Sequence, residues 1–253
     1  MQDFSFQGKV YLGTRLAGGL PGRLRWVGDA PKCDVSMTTE SENRKESFSG
    51  LRMTSARLRK GNEATIAMTL HWASAENLAL GLYGASATVA AAAVTNESLP
   101  PGLVAGDLIV LARGGVSSLV ITDSTPGTPL TLVAGTHYRL DSANGGVVNI
   151  LNVTGRVQPF RAAYSHTAST DVAMFTVAPP ERYLLLDGIN TFDNSPVRVR
   201  LYRVQFDPAA NIPLINEGYG SLELTGSVLF DSASALDISL GGFGKIELPA
   251  AVA

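Results

Sequence analysis

Between Ala64 and Trp72 the chain alternates, with Ala64, Ile66, Met68, Leu70 and Trp72 on one side and Thr65, Ala67, Thr69 and His71 on the other. A period of two separates the faces of a β-strand, so this stretch is predicted to bury one face and leave the other free. Residues 51–59 alternate too, and Lys60-Gly61-Asn62-Glu63 between the runs has turn composition, which predicts a hairpin. Just before it, Thr39–Gly50 is the most polar run of the chain, carries Glu40, Glu42, Asn43, Arg44, Lys45 and Glu46, and reaches no apolar residue before Phe48. It is predicted to be a long exposed loop.

Strand-like stretches recur from residue 107 to residue 248, set apart by Gly114-Gly115, Thr125-Pro126-Gly127, Asn144-Gly145-Gly146, Pro179-Pro180, Asp193-Asn194-Ser195-Pro196 and Gly241-Gly242. One segment reads as a helix. Ser74 is placed to cap it, Glu76 lies in the first turn where the helix dipole favours an acid, Leu78, Leu82 and Tyr83 share a face, and Gly84 is a stop. A strand is predicted over Thr88–Glu97. Many short strands with one helix predict a mainly β fold, a β-sandwich or barrel with one short packed α-helix and a long polar loop.

The chain has 253 residues, of which 17% are charged and 45% hydrophobic. The charged share is low against the ~25% of soluble domains, which points to a surface covered by self-association. Net charge is −2, so there is no global basic footprint for tight nucleic-acid binding. The charges are segregated: residues 1–61 hold eleven Lys/Arg against six Asp/Glu, and residues 207–253 hold one Lys against six acids. Either this is chance in a neutral protein, or it marks two oppositely charged surfaces that meet when copies stack. The single cysteine, Cys33, allows no intrachain disulfide. No segment supplies the ~20 continuous apolar residues of a membrane helix. The opening Met-Gln-Asp-Phe-Ser-Phe does not read as a signal peptide.

Catalytic patterns are not found in the sequence. His71, His137 and His166 are scattered, without the spacing of a zinc site. Gly84-Ala85-Ser86-Ala87-Thr88 departs from a nucleophile elbow at its last position. Asp187 and Asp193 are an acid pair on paper, but Asp is commonest as a turn cap. No catalytic residue, cofactor or metal is expected.

The order of these elements resembles that of phage major tail (tail tube) proteins. The resemblance is carried by short strands, the polar Thr39–Gly50 run, the hairpin about Lys60-Gly61-Asn62-Glu63, and Leu70-His71-Trp72 passing into Ser74-Ala75-Glu76-Asn77-Leu78-Ala79-Leu80. Further on, Val133-Ala134-Gly135-Thr136-His137-Tyr138-Arg139-Leu140-Asp141 with Gly145-Gly146-Val147-Val148-Asn149-Ile150-Leu151 is similar to a hairpin frequent in tail proteins, with His137 where Asp is commoner. The resemblance implies a tail-tube β-sandwich, shared with contractile-tail and type VI secretion tubes, over 1–98 and 171–253, with 99–170 either an insertion or a continuation of the core. It also implies hexameric rings stacked head to tail into a hollow virion tail, assembled in the host cytoplasm. Genome DNA would pass through the lumen without tight binding, and the tape-measure, tail terminator and baseplate or tip proteins would be partners, with no membrane anchoring.

On that footing Glu40, Glu42, Asn43, Arg44, Lys45, Glu46 and Phe48 are expected to reach the adjacent ring. Arg52, Arg57, Arg59 and Lys60 are expected to pair with a neighbour's Glu217, Glu223, Asp231 and Asp237. The first alternative is a capsid-decoration or adhesion β-domain, and the second is a β-fold hydrolase, which would need a deep pocket with perturbed acids.

Overall fold

The computed structural model describes residues 3–249. The chain divides into two compact units, one comprising Met1–Ser86 with Val172–Ala253 and the other Ala87–Asp171. The expected boundaries at 98/99 and 170/171 therefore lie at 86/87 and 171/172. The run predicted as one strand over Thr88–Glu97 breaks at Ala90-Ala91 into two, and the first unit ends at Ser86, where the earlier of the two begins.

The first unit opens with β1 (Phe6–Arg15), β2 (Pro21–Trp26), β3 (Lys32–Lys45), β4 (Thr54–Leu70) and helix α1 (Ala75–Gly81). The chain then forms the second unit through β5 (Ser86–Val89), β6 (Ala92–Ser98), β7 (Leu108–Val110), β8 (Val116–Thr122), β9 (Tyr138–Ser142), β10 (Val147–Ile150), β11 (Arg161–His166) and β12 (Ser169–Val172). It returns to the first with β13 (Glu181–Asn190), β14 (Pro196–Phe206), β15 (Leu222–Val228) and β16 (Gly244–Glu247). The fold is mainly β, as the period-two alternation predicts.

One sheet organises the first unit, in the order β2-β1-β13-β14-β15-β4-β3. β14 is shared along its length: Val204–Phe206 pair with β15, and Arg198–Leu201 pair with β16. Alternate residues turn inward and form the core, among them Val10, Leu12, Ile66, Met68, Leu70, Leu184, Leu222 and Leu224. Ser74 caps α1 by accepting the amide of Asn77 at 3.2 Å. The helix buries Asn77, Leu80 and Gly81 rather than the Leu78, Leu82 and Tyr83 face. Seven residues make only two turns, and Asn77 decides which side faces in. Its amide donates to the carbonyls of Val27 and Trp72, both at 2.8 Å, and its Oδ1 accepts from Arg25 at 2.7 Å.

The second unit holds two three-stranded antiparallel sheets, β7-β10-β9 and β6-β11-β8. Its core includes Ile121, Leu132, Val148, Ile150, Phe160 and Tyr164. The Tyr138–Ile150 segment forms the β9–β10 hairpin. Asp123 is buried and accepts from the amides of Leu130 (2.6 Å), Thr125 (3.1 Å) and Val157 (3.3 Å) and from the Thr125 hydroxyl (2.7 Å).

Candidate assembly surface

The long polar loop is not a loop. Lys32–Lys45 is a fourteen-residue strand, and it pairs antiparallel with β4 from Lys32↔Thr69 to Lys45↔Thr54. Residues 46–53 make the turn, so the hairpin is longer than predicted and its tip lies elsewhere. Lys60-Gly61-Asn62-Glu63 lies inside β4. Glu40 pairs with Gly61 and Ser41 with Arg59, leaving Lys60 as the extra residue of a β-bulge. Turn-like composition here serves the bulge, because Gly inside a strand weakens side-chain packing and lets the ladder bend.

Core contact stops part-way along this hairpin. Ala64, Ile66, Met68 and Leu70 are buried, whereas every residue from Thr54 to Glu63 is exposed, as is nearly all of the facing strand beyond Met37. The outer hairpin is therefore a two-stranded arm. β3 forms one end of the sheet, so its far edge is unpaired among the described residues.

The tip is organised by one carboxylate. Glu46 accepts from the amides of Phe48 (2.8 Å), Ser49 (2.9 Å) and Met53 (3.2 Å), and from the Ser49 hydroxyl. These bonds to the charged form, the Ser49 hydroxyl foremost, hold its pKa down at about 2. Gly50 and Arg52 take positive φ there, 80° and 52°. The ordered turn displays apolar side chains to solvent: Phe48 is 89% exposed, Leu51 75% and Met53 62%.

The predicted assembly residues fall into three groups. Glu40, Glu42, Asn43, Arg44 and Lys45 lie on β3, while Glu46, Phe48 and Arg52 lie in the turn. Arg57, Arg59 and Lys60 lie on β4, so the basic set and the polar run share one arm. Part of that charge is paired within the arm: Lys60 Nζ lies 2.8 Å from Glu42, and Arg57 Nε donates to Ser41 Oγ at 3.0 Å. The acidic set is spread over different elements. Glu223 is exposed on β15, Glu217 lies in the exposed 207–221 connection, and Asp237 is exposed while accepting from the Ser239 amide (2.9 Å) and hydroxyl (2.7 Å). Asp231 must be withdrawn as a contact residue. It is 0% exposed, with Arg15 Nη2 at 2.7 Å and the Ser234 hydroxyl at 2.9 Å. Sequence could not reveal this, because Arg15 is 216 residues away.

Exposed apolar residues missed by the sequence reading lie at Leu214, Ile215 and Tyr219 (90%, 96% and 105% exposed) and at Leu236 and Ile238 (91% and 98%). Their signal was apolar residues without a strand period inside turn-rich sequence. The histidines stay apart and have individual partners, Asp29 for His71, the Val133 amide for His137 and the Thr167 carbonyl for His166. Asp193 accepts from the Ser195 amide and hydroxyl as a turn cap. Among the described residues no three His, Cys, Asp or Glu side chains are arranged to hold a metal ion.

A family model described as protein of unknown function UCP028589 matches residues 3–247. No curated protein matches the chain.

Proposed function

We propose that this chain, which belongs to the UCP028589 family, is the structural subunit of a phage tail tube. Copies close into hexameric rings, and the rings stack head to tail into a hollow conduit for genome DNA. The observation that carries this is the β3–β4 arm: a fourteen-residue edge strand open on its outer side, running out past the core to an ordered apolar tip. A long free edge is a template for pairing with another chain, and ring closure is the arrangement that uses such edges up. A two-stranded ribbon is marginal alone in water, so the arm gains its stability from a neighbour. A contact in which one patch meets a different patch makes rings when the rotation closes and filaments when it does not, and a tube uses both.

In this role the arm carries Arg44, Lys45, Arg52, Arg57 and Arg59 to a neighbour whose Glu217, Glu223 and Asp237 are exposed. The tape-measure, terminator and baseplate or tip proteins would meet the ends of the stack, and DNA would pass without tight binding. The place of action is the virion tail, and no catalysis is involved.

Electron microscopy of the purified chain, with sedimentation over a concentration series, tests the proposal. Rings or tubes of regular axial repeat are expected. Replacing residues 41–59 with a two-residue Asn-Gly turn should leave a folded protein that does not polymerise. Isolated globules from the unaltered chain at every concentration would overturn the proposal and favour a decoration module.

A further inference from the structure

Three adjacent strands of the first unit, β2, β1 and β13, place Arg25 opposite Leu12 and Arg182 opposite Thr14. Cross-strand partners share a face, and so do residues two apart on one strand. Arg25 and Arg182 therefore stand on the same face as Leu12, which is buried in the core. Toward the end of the sheet that face opens into a groove of about 680 Å³ between the strands and α1. Arg23 also lines it, and Ala79, Tyr83, Val177 and Pro180 supply its apolar wall.

The charge in the groove is unbalanced, three arginines against the single acid Glu76. Arg25 is half-buried and has one hydrogen bond, to Asn77. Arg182 is half-buried as well, and its side chain makes no hydrogen bond or ion pair among the described residues. Burial lowers the pKa of both guanidinium groups, so each is desolvated without full compensation. Half-buried cations in a groove of ligand size are the features of an anion site, since a guanidinium fork matches a planar oxyanion.

We propose that this groove binds an oxyanion, a carboxylate or phosphate carried on a short apolar stem, with Arg182 and Arg25 donating to the oxyanion and Tyr83, Val177 and Pro180 against the stem. Nothing in the tube role requires such a ligand.

The test is calorimetric titration and thermal denaturation of the full chain with hexanoate, inorganic phosphate and chloride at matched ionic strength. Saturable binding and a raised melting temperature are expected with hexanoate or phosphate and not with chloride. The tighter of the two identifies the source as carboxylate or phosphate. Arg182→Gln should weaken binding about tenfold or more, and Glu76→Gln should strengthen it. Arg182→Lys keeps the charge and loses the fork, so it should weaken binding several-fold and carries the test if the Gln variant does not fold. An equal response to chloride, or undiminished binding in the folded Arg182 variants, would overturn the proposal.

Discussion

Asp231 lies at zero exposure beneath Arg15, and a second acid, Glu181, connects Arg15 (3.9 Å) to Arg203 (2.5 Å). Burial raises the Asp231 pKa, but the bonds from Arg15, Ser234 and the Ala233 amide outweigh it and the net shift is downward. Removing Arg15 leaves a buried carboxylate with only Ser234 and a backbone amide, so Arg15→Ala should destabilise the first unit by about 3 kcal/mol in urea denaturation. A change below about 0.5 kcal/mol would show that the carboxylate is hydrated instead. Glu46 is the opposite case, a carboxylate outside any core whose shift comes from four local bonds. Because its folded pKa is depressed, the stabilisation is complete above the ordinary Glu value and is lost as pH falls through about 2. An NMR titration should place the Glu46 carboxyl midpoint near 2, and a midpoint near the ordinary value of about 4.3 would remove it as organiser of the tip. Neither role was legible beforehand. A turn acid and a buried acid look alike in a one-dimensional string, because what separates them is the geometry of donors brought in by the fold.

The β3–β4 hairpin shows where local patterns inform and where they mislead. The alternation correctly gave the buried face over Ala64, Ile66, Met68 and Leu70, since a period of two has one physical meaning in a half-covered sheet, but it fails at Trp72, which lies beyond the end of β4 and is 49% exposed. Polarity misled on Thr39–Gly50. A ribbon with solvent on both faces needs no apolar stripe, so hydropathy cannot distinguish it from a loop. Gly61-Asn62 misled for a related reason, because bulges and turns both draw on residues of low strand propensity. The helix start was readable from Ser74, whereas its buried side depended on partners of Asn77 as distant as Val27. The apolar tip gives a prediction that separates folding from assembly. Phe48 and Leu51 touch no core, so the double variant Phe48→Ser, Leu51→Ser should change unfolding free energy by less than about 0.5 kcal/mol. The same protein should lose ordered polymers in the microscope. Normal tubes from it would mean that the arm binds through its edge alone.

At the scale of the whole chain, the second unit is an excursion that begins and ends at one place. The Ala173 amide donates to the Ala85 carbonyl at 3.2 Å, and the Ala85 amide donates to the Thr176 hydroxyl at 3.1 Å, so the chain segments that flank the excursion are already joined. The two cores share no residue, each being drawn from its own unit. Sequence composition gave no sign of the exact crossing points, because Ala- and Thr-rich strands continue across 86/87 and the linker has no charge run or Pro-Gly cluster to mark it. Segments whose ends lie close together can be removed without opening the host core. Joining Ser86 to Val172 through a short Gly-Ser linker should therefore leave the first unit with a cooperative thermal transition, and residues 87–171 should unfold as a separate transition when produced alone. The arm and both free edges of the large sheet lie in the retained part, so the excised protein should still polymerise if those features carry assembly. A folded but strictly monomeric product would move the assembly determinants into residues 87–171, and the proposed role of the β3 edge would have to be given up.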